Sequence, residues 1–436
     1  MSPLARTARV TGIGLVTPLG TDTGEFFDAL CGRTLAERRS DKLRGGGPPG
    51  GGGPPGVCRP PAEHPMDGIV EVAGFAPDID PMRLLPPTEA RGVDRFVLMA
   101  MAAGDAALAD AGIVVGRDVD PARTAVVVGG GFGGLTLFEA HAVARHERGR
   151  TAVSPTLLAG MLPNMASARI AIRHGIRGFS SAVAAACASG AYAVAEALRL
   201  IREGLADVVL AGGAEAPLLP TAATAFRNAR ALAYGWADPA EASRPFDLRR
   251  NGFVLSEGAG VLVVERPEHA AARGRAGYAE LVGWGASTDA YHPMVPRADG
   301  SGVAESIRLA LADADLEPAD VDYVNAHATG TKLGDAAEAR AIRAVFGADA
   351  PAVSSTKAVT GHLLAASGAV EAAATALAVH SGLLPPTHNL DEPDPECDLD
   401  HVRKAARQVP VRAALSGSFA FGGHNVSLLL TRTGGP

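Results

Sequence analysis

The chain has 436 residues, 47% of them hydrophobic, with a formal net charge of −7. It is too long for one ordinary core, so two domains or one duplicated α/β unit is expected. Its 40 basic and 47 acidic residues exclude bulk attraction to nucleic acid or to an anionic membrane. Aromatics at 5% alongside 53 glycines favour closely packed helices and strands over an aromatic-lined receptor surface. Cys31, Cys58, Cys187 and Cys397 form no CxxC pair, which argues against a disulfide framework and a zinc site. Met1 to Arg9 lacks the apolar stretch of a signal peptide, and no apolar run nears the ~20 residues of a membrane span. A cytosolic protein is expected.

In chain order, Arg9 to Gly20 reads as a first strand running into a Gly/Pro turn. Its Gly12-Ile13-Gly14 lacks the third glycine of a dinucleotide fingerprint, so a strand of an α/β layer is the better reading. Gly45 to Pro55 is almost wholly Gly and Pro, a composition that buries little and keeps no regular ladder. Residues 40–68 are accordingly expected to form a flexible surface insertion. Val93 to Gly112 has apolar residues at helical spacing, and Thr124 to Val128 reads as a buried strand ending in the glycine cluster 129–134. No Lys-Ser/Thr follows that cluster, so close backbone packing beside a site is favoured over a phosphate loop.

Gly178 to Val183 reads as a strand, and a helix begins after Ser189, which places Cys187 at the intervening turn. A thiol at a helix N-terminus faces unpaired N–H groups and the positive end of the dipole, so a lowered pKa and a nucleophilic role are expected. By itself the residue reads more readily as a buried structural cysteine, since free Cys is among the most buried residue types. Ala206 to Gly213 and Gly258 to Glu265 are further strands, giving alternating strands and helices with mostly parallel pairing. Ala188-Ser189-Gly190-Ala191 and Ala366-Ser367-Gly368-Ala369 each open an Ala-rich helix after a Ser-Ser pair, which suggests two related halves. Chance similarity of Ala-rich helices is the competing explanation. The division is placed at 1–265, carrying the cysteine, and 266–436, carrying two candidate histidines.

Those histidines are His327, at the end of the strand beginning at Val321, and His362, in a strand and turn running from Ser354. Metal binding by the pair is disfavoured, because no carboxylate sits at ligand spacing and Lys357 would repel a cation. Leu415 to Ser427 is a Gly-rich turn between strands whose N–H groups suit an oxyanion site.

Together, Cys187 in Ala-Cys-Ala-Ser-Gly, His327 in His-Ala-Thr-Gly-Thr, Lys357 and His362, and the Phe421-Gly422-Gly423-His424-Asn425 turn resemble the β-ketoacyl-[acyl carrier protein] synthases, most nearly the type II, KAS II-like enzymes. The resemblance runs from Val10 to about Leu430. It implies a thiolase fold: two similar α/β halves in a five-layered αβαβα arrangement, as a homodimer or a heterodimer with a related chain. It also implies an acyl carrier protein as partner and no cofactor beyond that carrier's phosphopantetheine.

By the same resemblance, Cys187 would hold the acyl chain and His327 and His362 would stabilise the malonyl enolate. The N–H groups of Cys187 and Phe421 would bind the oxyanion. Lys357, with Glu371, would orient His362; Thr329 and Thr331 would bind phosphopantetheine; Phe421 would be a gate, with Gly422 and Gly423 supplying its backbone freedom. Lys332 stands where the family usually has proline, and Gly330 where it has serine. The 40–68 insertion falls where relatives face the carrier protein. Arg91, Arg95, Arg227 and Arg230 are the candidate basic patch. Phe226 and Met161 are expected beside the acyl tunnel. A non-catalytic chain-length factor is the competing class, but such factors lack the cysteine kept here. A thiolase is disfavoured, since that family uses a second cysteine near its C-terminus.

Overall fold

The computed structural model describes residues 6–32 and 56–434. Its first half contributes five strands to a ten-stranded sheet, β1 (Ala8–Val16), β2 (Thr124–Gly129), β3 (Ser180–Ser181), β4 (Val208–Glu215) and β5 (Gly258–Glu265), in the order β3-β2-β4-β5-β1. The second half builds β6 (Ala279–Thr288), β7 (Val321–Asn325), β8 (Ala352–Ser354), β9 (Ala413–Ala420) and β10 (His424–Thr431), in the order β8-β7-β9-β10-β6. Numbered within each half, both orders are third-second-fourth-fifth-first. The senses agree too: β3, β2 and β4 are parallel, as are β8, β7 and β9, and the remaining pairs are antiparallel. Shared order and sense over five strands go well beyond chance similarity of two helices. The two ladders join edge to edge where Ala8–Val10 pair with Ala279–Leu281.

Six helices complete the layers: α1 (Arg95–Ala111), α2 (Met165–His174), α3 (Ser189–Arg202), α4 (Ser301–Ala314), α5 (Lys332–Phe346) and α6 (Ser367–Ser381). α1 starts where the Asp94 carboxylate accepts the Phe96 N–H, and it stops at Gly112, whose φ of 67° suits glycine. It packs with α2 on the outer face of the first ladder, while α4 and α5 cover the outer face of the second. Between the ladders lie α3 and α6, and α6 is buried on every side from Ser367 to Val379, as a helix in a middle layer must be. Alanines fill it because two sheets and a second helix leave no room for more.

The crossing of α3 and α6 sets the site. A Cβ on Gly190 would lie 2.7 Å from the Ala365 carbonyl oxygen, and one on Gly368 would lie 2.6 Å from the Ala191 nitrogen. Each helix therefore uses a glycine in its first turn to let the other approach. The same economy explains Gly12 and Gly14, where a Cβ would fall 2.3 and 1.9 Å from carbonyl oxygens of Ala107 and Ala103 in α1. That pair is a helix-packing seam.

Some expectations need correction. Residues 40–55 lie outside the described residues, but 56–68 are not a loose insertion. Met66 is fully buried against Val70, Phe253, Leu255 and Leu364, and Cys58 pairs with Ala73. Apolar side chains spaced through that segment outweigh its Pro and Gly content. The strand expected over 178–183 shrinks to Ser180–Ser181 at the sheet edge, having a neighbour on one side only. Lys357 lies on a short helix, Lys357–Thr360, instead of a strand. Among the described residues no helix is long and apolar enough to cross a membrane.

Candidate active site

Cys187 sits in one turn of 3-10 helix, Ala186–Ala188, leading directly into α3. Ala186 is held at φ 47°, a left-handed conformation that disfavours residues with a Cβ. Ser189 secures it: its Oγ accepts the Ala185 N–H at 2.9 Å and donates to the Ala186 carbonyl at 2.6 Å. The second half repeats the device, with Leu364 at φ 48°, a 3-10 turn over Leu364–Ala366, and Ser367 Oγ accepting the Leu363 N–H at 3.0 Å. Here Ala365 occupies the place of Cys187 and His362 that of Ala184. The two helix N-termini meet, so the Cys187 thiol of one half faces the imidazole of the other: His362 Nε2 lies 3.1 Å from Cys187 Sγ.

His327 follows β7, and its loop is fixed from behind by α5. The Glu338 carboxylate accepts the N–H groups of His327 and Ala328 at 2.8 and 2.7 Å. Asp335 accepts those of Thr329 and Gly330, both at 3.1 Å, and the fully buried Arg250 lies 3.5 Å from that carboxylate. The His327 and His362 rings stand edge to face with centroids 5.3 Å apart, and Phe253 and Phe419 pack against them. Lys357 is buried and ion-paired with Glu371. Its ammonium reaches His327 Nδ1 at 3.3 Å, so the expectation that it orients His362 is corrected. The lysine is five residues before His362 in the chain, yet the ring it touches is the one just after β7.

Burial sets the electrostatics. It pushes the Cys187 thiol up to about 12, with the Lys357 charge opposing, so the expected lowering by the helix N-terminus is overturned. Burial, reinforced by Lys357, holds both histidines well below the ordinary imidazole range. A neutral imidazole carries one N–H and no charge, so each ring is suited to donate a hydrogen bond. Burial likewise raises Glu371 and Glu215 to about 7 and Glu338 to about 8.

Cys187, His327, His362, Thr329, Thr331, Lys332, Phe226 and Phe421 all line one cavity of about 640 Å³. Met161 does not; it packs under Gly134. The Thr329 and Thr331 hydroxyls are 3.2 Å apart, and Lys332 is exposed and donates to the Leu248 carbonyl at 2.6 Å. Phe421 is exposed at the β9–β10 turn, where Gly422 and Gly423 adopt φ of 85° and 73°. Glycine is required there for conformation, as well as for clearance from Asp289. The turn is tethered by Gly422 N–H to Pro293 O at 2.7 Å and Asp289 N–H to Gly423 O at 2.9 Å. Of the basic candidates, Arg230 lines the cavity, Arg91 is exposed and Arg227 donates to the Gly68 and Ile69 carbonyls. Arg95 is corrected: Glu257 at 2.7 Å and the Ala76 carbonyl at 2.9 Å consume it.

Sequence reading missed Glu338, Asp335, Ser367 and Glu215. The first two were detectable as carboxylates three apart in the first turns of the helix after the His327 loop. Glu215 accepts the Gly131 and Phe132 N–H groups at 2.8 and 3.1 Å, which gives the glycine cluster its packing role. Among the described residues no three His, Cys, Asp or Glu side chains converge as a metal-holding group.

Family models of the β-ketoacyl synthase N-terminal and C-terminal domains match residues 6–270 and 278–391. The chain is 40% identical over 421 residues to the 3-oxoacyl-[acyl-carrier-protein] synthase 2 of Synechocystis, covering 96% of each chain. It superposes on a β-ketoacyl synthase from Burkholderia phymatum with a TM-score of 0.86 at 33% identity, over 98% of this chain and 99% of that one. The ishigamide ketosynthase/chain length factor gives a TM-score of 0.86 at 32% identity, over 99% and 100%. These solved relatives and the duplicated layers bear out the thiolase fold.

Proposed function

Because the chain belongs to the β-ketoacyl synthase family, we propose that it catalyses decarboxylative Claisen condensation of an acyl group held on Cys187 with malonyl-acyl carrier protein, yielding a β-ketoacyl-carrier protein in fatty acid or type II polyketide biosynthesis. One observation carries this reading: a thiol and two neutral imidazoles converge in a single cavity, with His362 in contact with the sulfur.

Cys187 sulfur attacks the acyl thioester, its proton passes to the leaving pantetheine sulfur, and the acyl-cysteine forms. The Cys187 and Phe421 N–H groups face the oxyanion, each worth about 3 kcal/mol in the transition state. Malonyl then binds with its thioester carbonyl accepting from His327 and His362. The carboxylate C–C bond breaks, CO₂ departs, and the enolate is held by neutral donors. Its carbon attacks the acyl carbonyl, the C–S bond to Cys187 breaks, and the released thiolate takes a proton from water. Lys357 and Glu371 position His327, Thr329 and Thr331 hold the pantetheine arm, and Phe421 gates the cavity on its two-glycine turn. The electrons balance within the two substrates, so no metal or redox cofactor is called for.

The halves 1–265 and 266–436 each contribute one side of the site. Arg230 and Lys332 at the mouth suit an acidic carrier protein, and four scattered cysteines outside any CxxC pair suit the cytosol. A second reading, in which this chain is the active half of a heterodimer with a chain-length factor, is favoured by the likeness to the ishigamide pair. Replacing Cys187 with Ala abolishes acyl transfer, and His327→Ala slows condensation by about 10²- to 10³-fold. Condensation retained by Cys187→Ala contradicts the proposal.

A further inference from the structure

The two halves place a serine identically and use it differently. In the first half, Ser189 Oγ accepts the Ala185 N–H and gives its proton to the Ala186 carbonyl at 2.6 Å. In the second, Ser367 Oγ accepts the Leu363 N–H at 3.0 Å and lies beside His362 Nδ1, also at 3.0 Å. A hydroxyl already accepting from an amide has one proton to give. At Ser367 that proton has the imidazole nitrogen as its acceptor. The serine is fully buried, and so is all but 3% of His362, so water does not compete for the bond.

We propose that Ser367 is a positioning residue for the condensation, donating to His362 Nδ1 and so keeping the ring proton on Nε2, 3.1 Å from Cys187 Sγ. A neutral imidazole has one N–H, and the nitrogen that accepts from Ser367 cannot also carry it. His362 therefore meets the sulfur, and the substrate carbonyl that follows, as a donor. To take the thiol proton at Nε2 the ring would first have to carry its own proton on Nδ1, where that N–H opposes the Ser367 hydroxyl, and the imidazolium then formed would sit in a pocket that disfavours its charge. The serine thus selects hydrogen-bond donation over base catalysis at this ring. The inference rests on the condensation proposed above for its functional consequence, but its geometry can be tested without activity.

The test is long-range ¹H–¹⁵N correlation on the full chain labelled with ¹⁵N-histidine, with the His362 signals identified by their loss in His362→Ala. Wild type is expected to show the Nε2–H tautomer, Ser367→Thr to keep it, and Ser367→Ala to show a mixture. In parallel, kcat for condensation in Ser367→Ala falls about tenfold, the worth of one hydrogen bond, with KM for malonyl-carrier protein unchanged. Thermal melting accompanies each variant to separate misfolding from mispositioning. An Nδ1–H tautomer in wild type, or an unchanged tautomer in folded Ser367→Ala, overturns the inference. An Nε2–H tautomer in a wild type that condenses nothing would overturn the proposed reaction and leave the serine's role standing.

Discussion

At the scale of single residues the site works by burial instead of charge. A thiol raised to about 12 is protonated at neutral pH, so its thiolate fraction climbs about tenfold per pH unit up to that value. Iodoacetamide labelling of Cys187, followed by peptide mass spectrometry, should accelerate in that proportion between pH 7 and 9. A plateau near pH 7 would mean a lowered pKa and contradict the account. The candidate nucleophile and both histidines were legible from residue type and local glycine context, whereas the thiol's pKa was not. A helix N-terminus can be read from sequence, but the apolar walls that outweigh it, Phe253, Leu255 and Leu364 among them, converge from distant segments. For the same reason Lys357 was assigned to the wrong imidazole, since proximity in the chain favoured His362 while the fold brings β7 to the ammonium.

At the scale of elements, the crossing of α3 and α6 is what brings Cys187 to His362. Each first-turn glycine meets backbone atoms of the other helix, and backbone cannot step aside as a flexible side chain can. Gly190→Ala or Gly368→Ala should therefore destabilise the chain by about 1–3 kcal/mol, read as the shift in a urea unfolding midpoint. Condensation by the folded protein should also fall, as the two N-termini are pushed apart. A variant of unchanged stability and rate would mean that the crossing tolerates a methyl group and does not set the contact. The repeated Ser-Gly at the start of both helices was visible in the sequence, and it reported the duplication correctly. The paired five-strand order was not visible, because β3 and β8 have too few residues for any alternation pattern, and sheet order depends on contacts hundreds of residues apart. Residues 56–68 show the converse error, in which Pro and Gly content hid the buried Met66.

At the scale of the molecule, the sheet ends in a two-residue edge strand, β3, beside exposed apolar side chains. Phe179 precedes it, Ile172 lies on α2, and Phe138 and Leu158 lie on the neighbouring helices Leu135–Arg148 and Leu157–Met161. An open sheet edge flanked by exposed apolar residues is a pairing surface. Sedimentation should accordingly find a species of twice the 44.3 kDa chain mass, and Phe138→Glu or Leu158→Glu should shift it toward monomer. A monomeric wild type would instead assign this face to a different, ketosynthase-like chain.

The most direct measurement of the central claim is the intact mass of the purified chain after incubation with acyl-carrier-protein thioesters, before and after malonyl-carrier protein is added. The account predicts a mass gain of one acyl group, confined to Cys187, that disappears as a β-ketoacyl-carrier protein forms. No acyl gain on Cys187 with any thioester, alone or beside a partner chain, would contradict it.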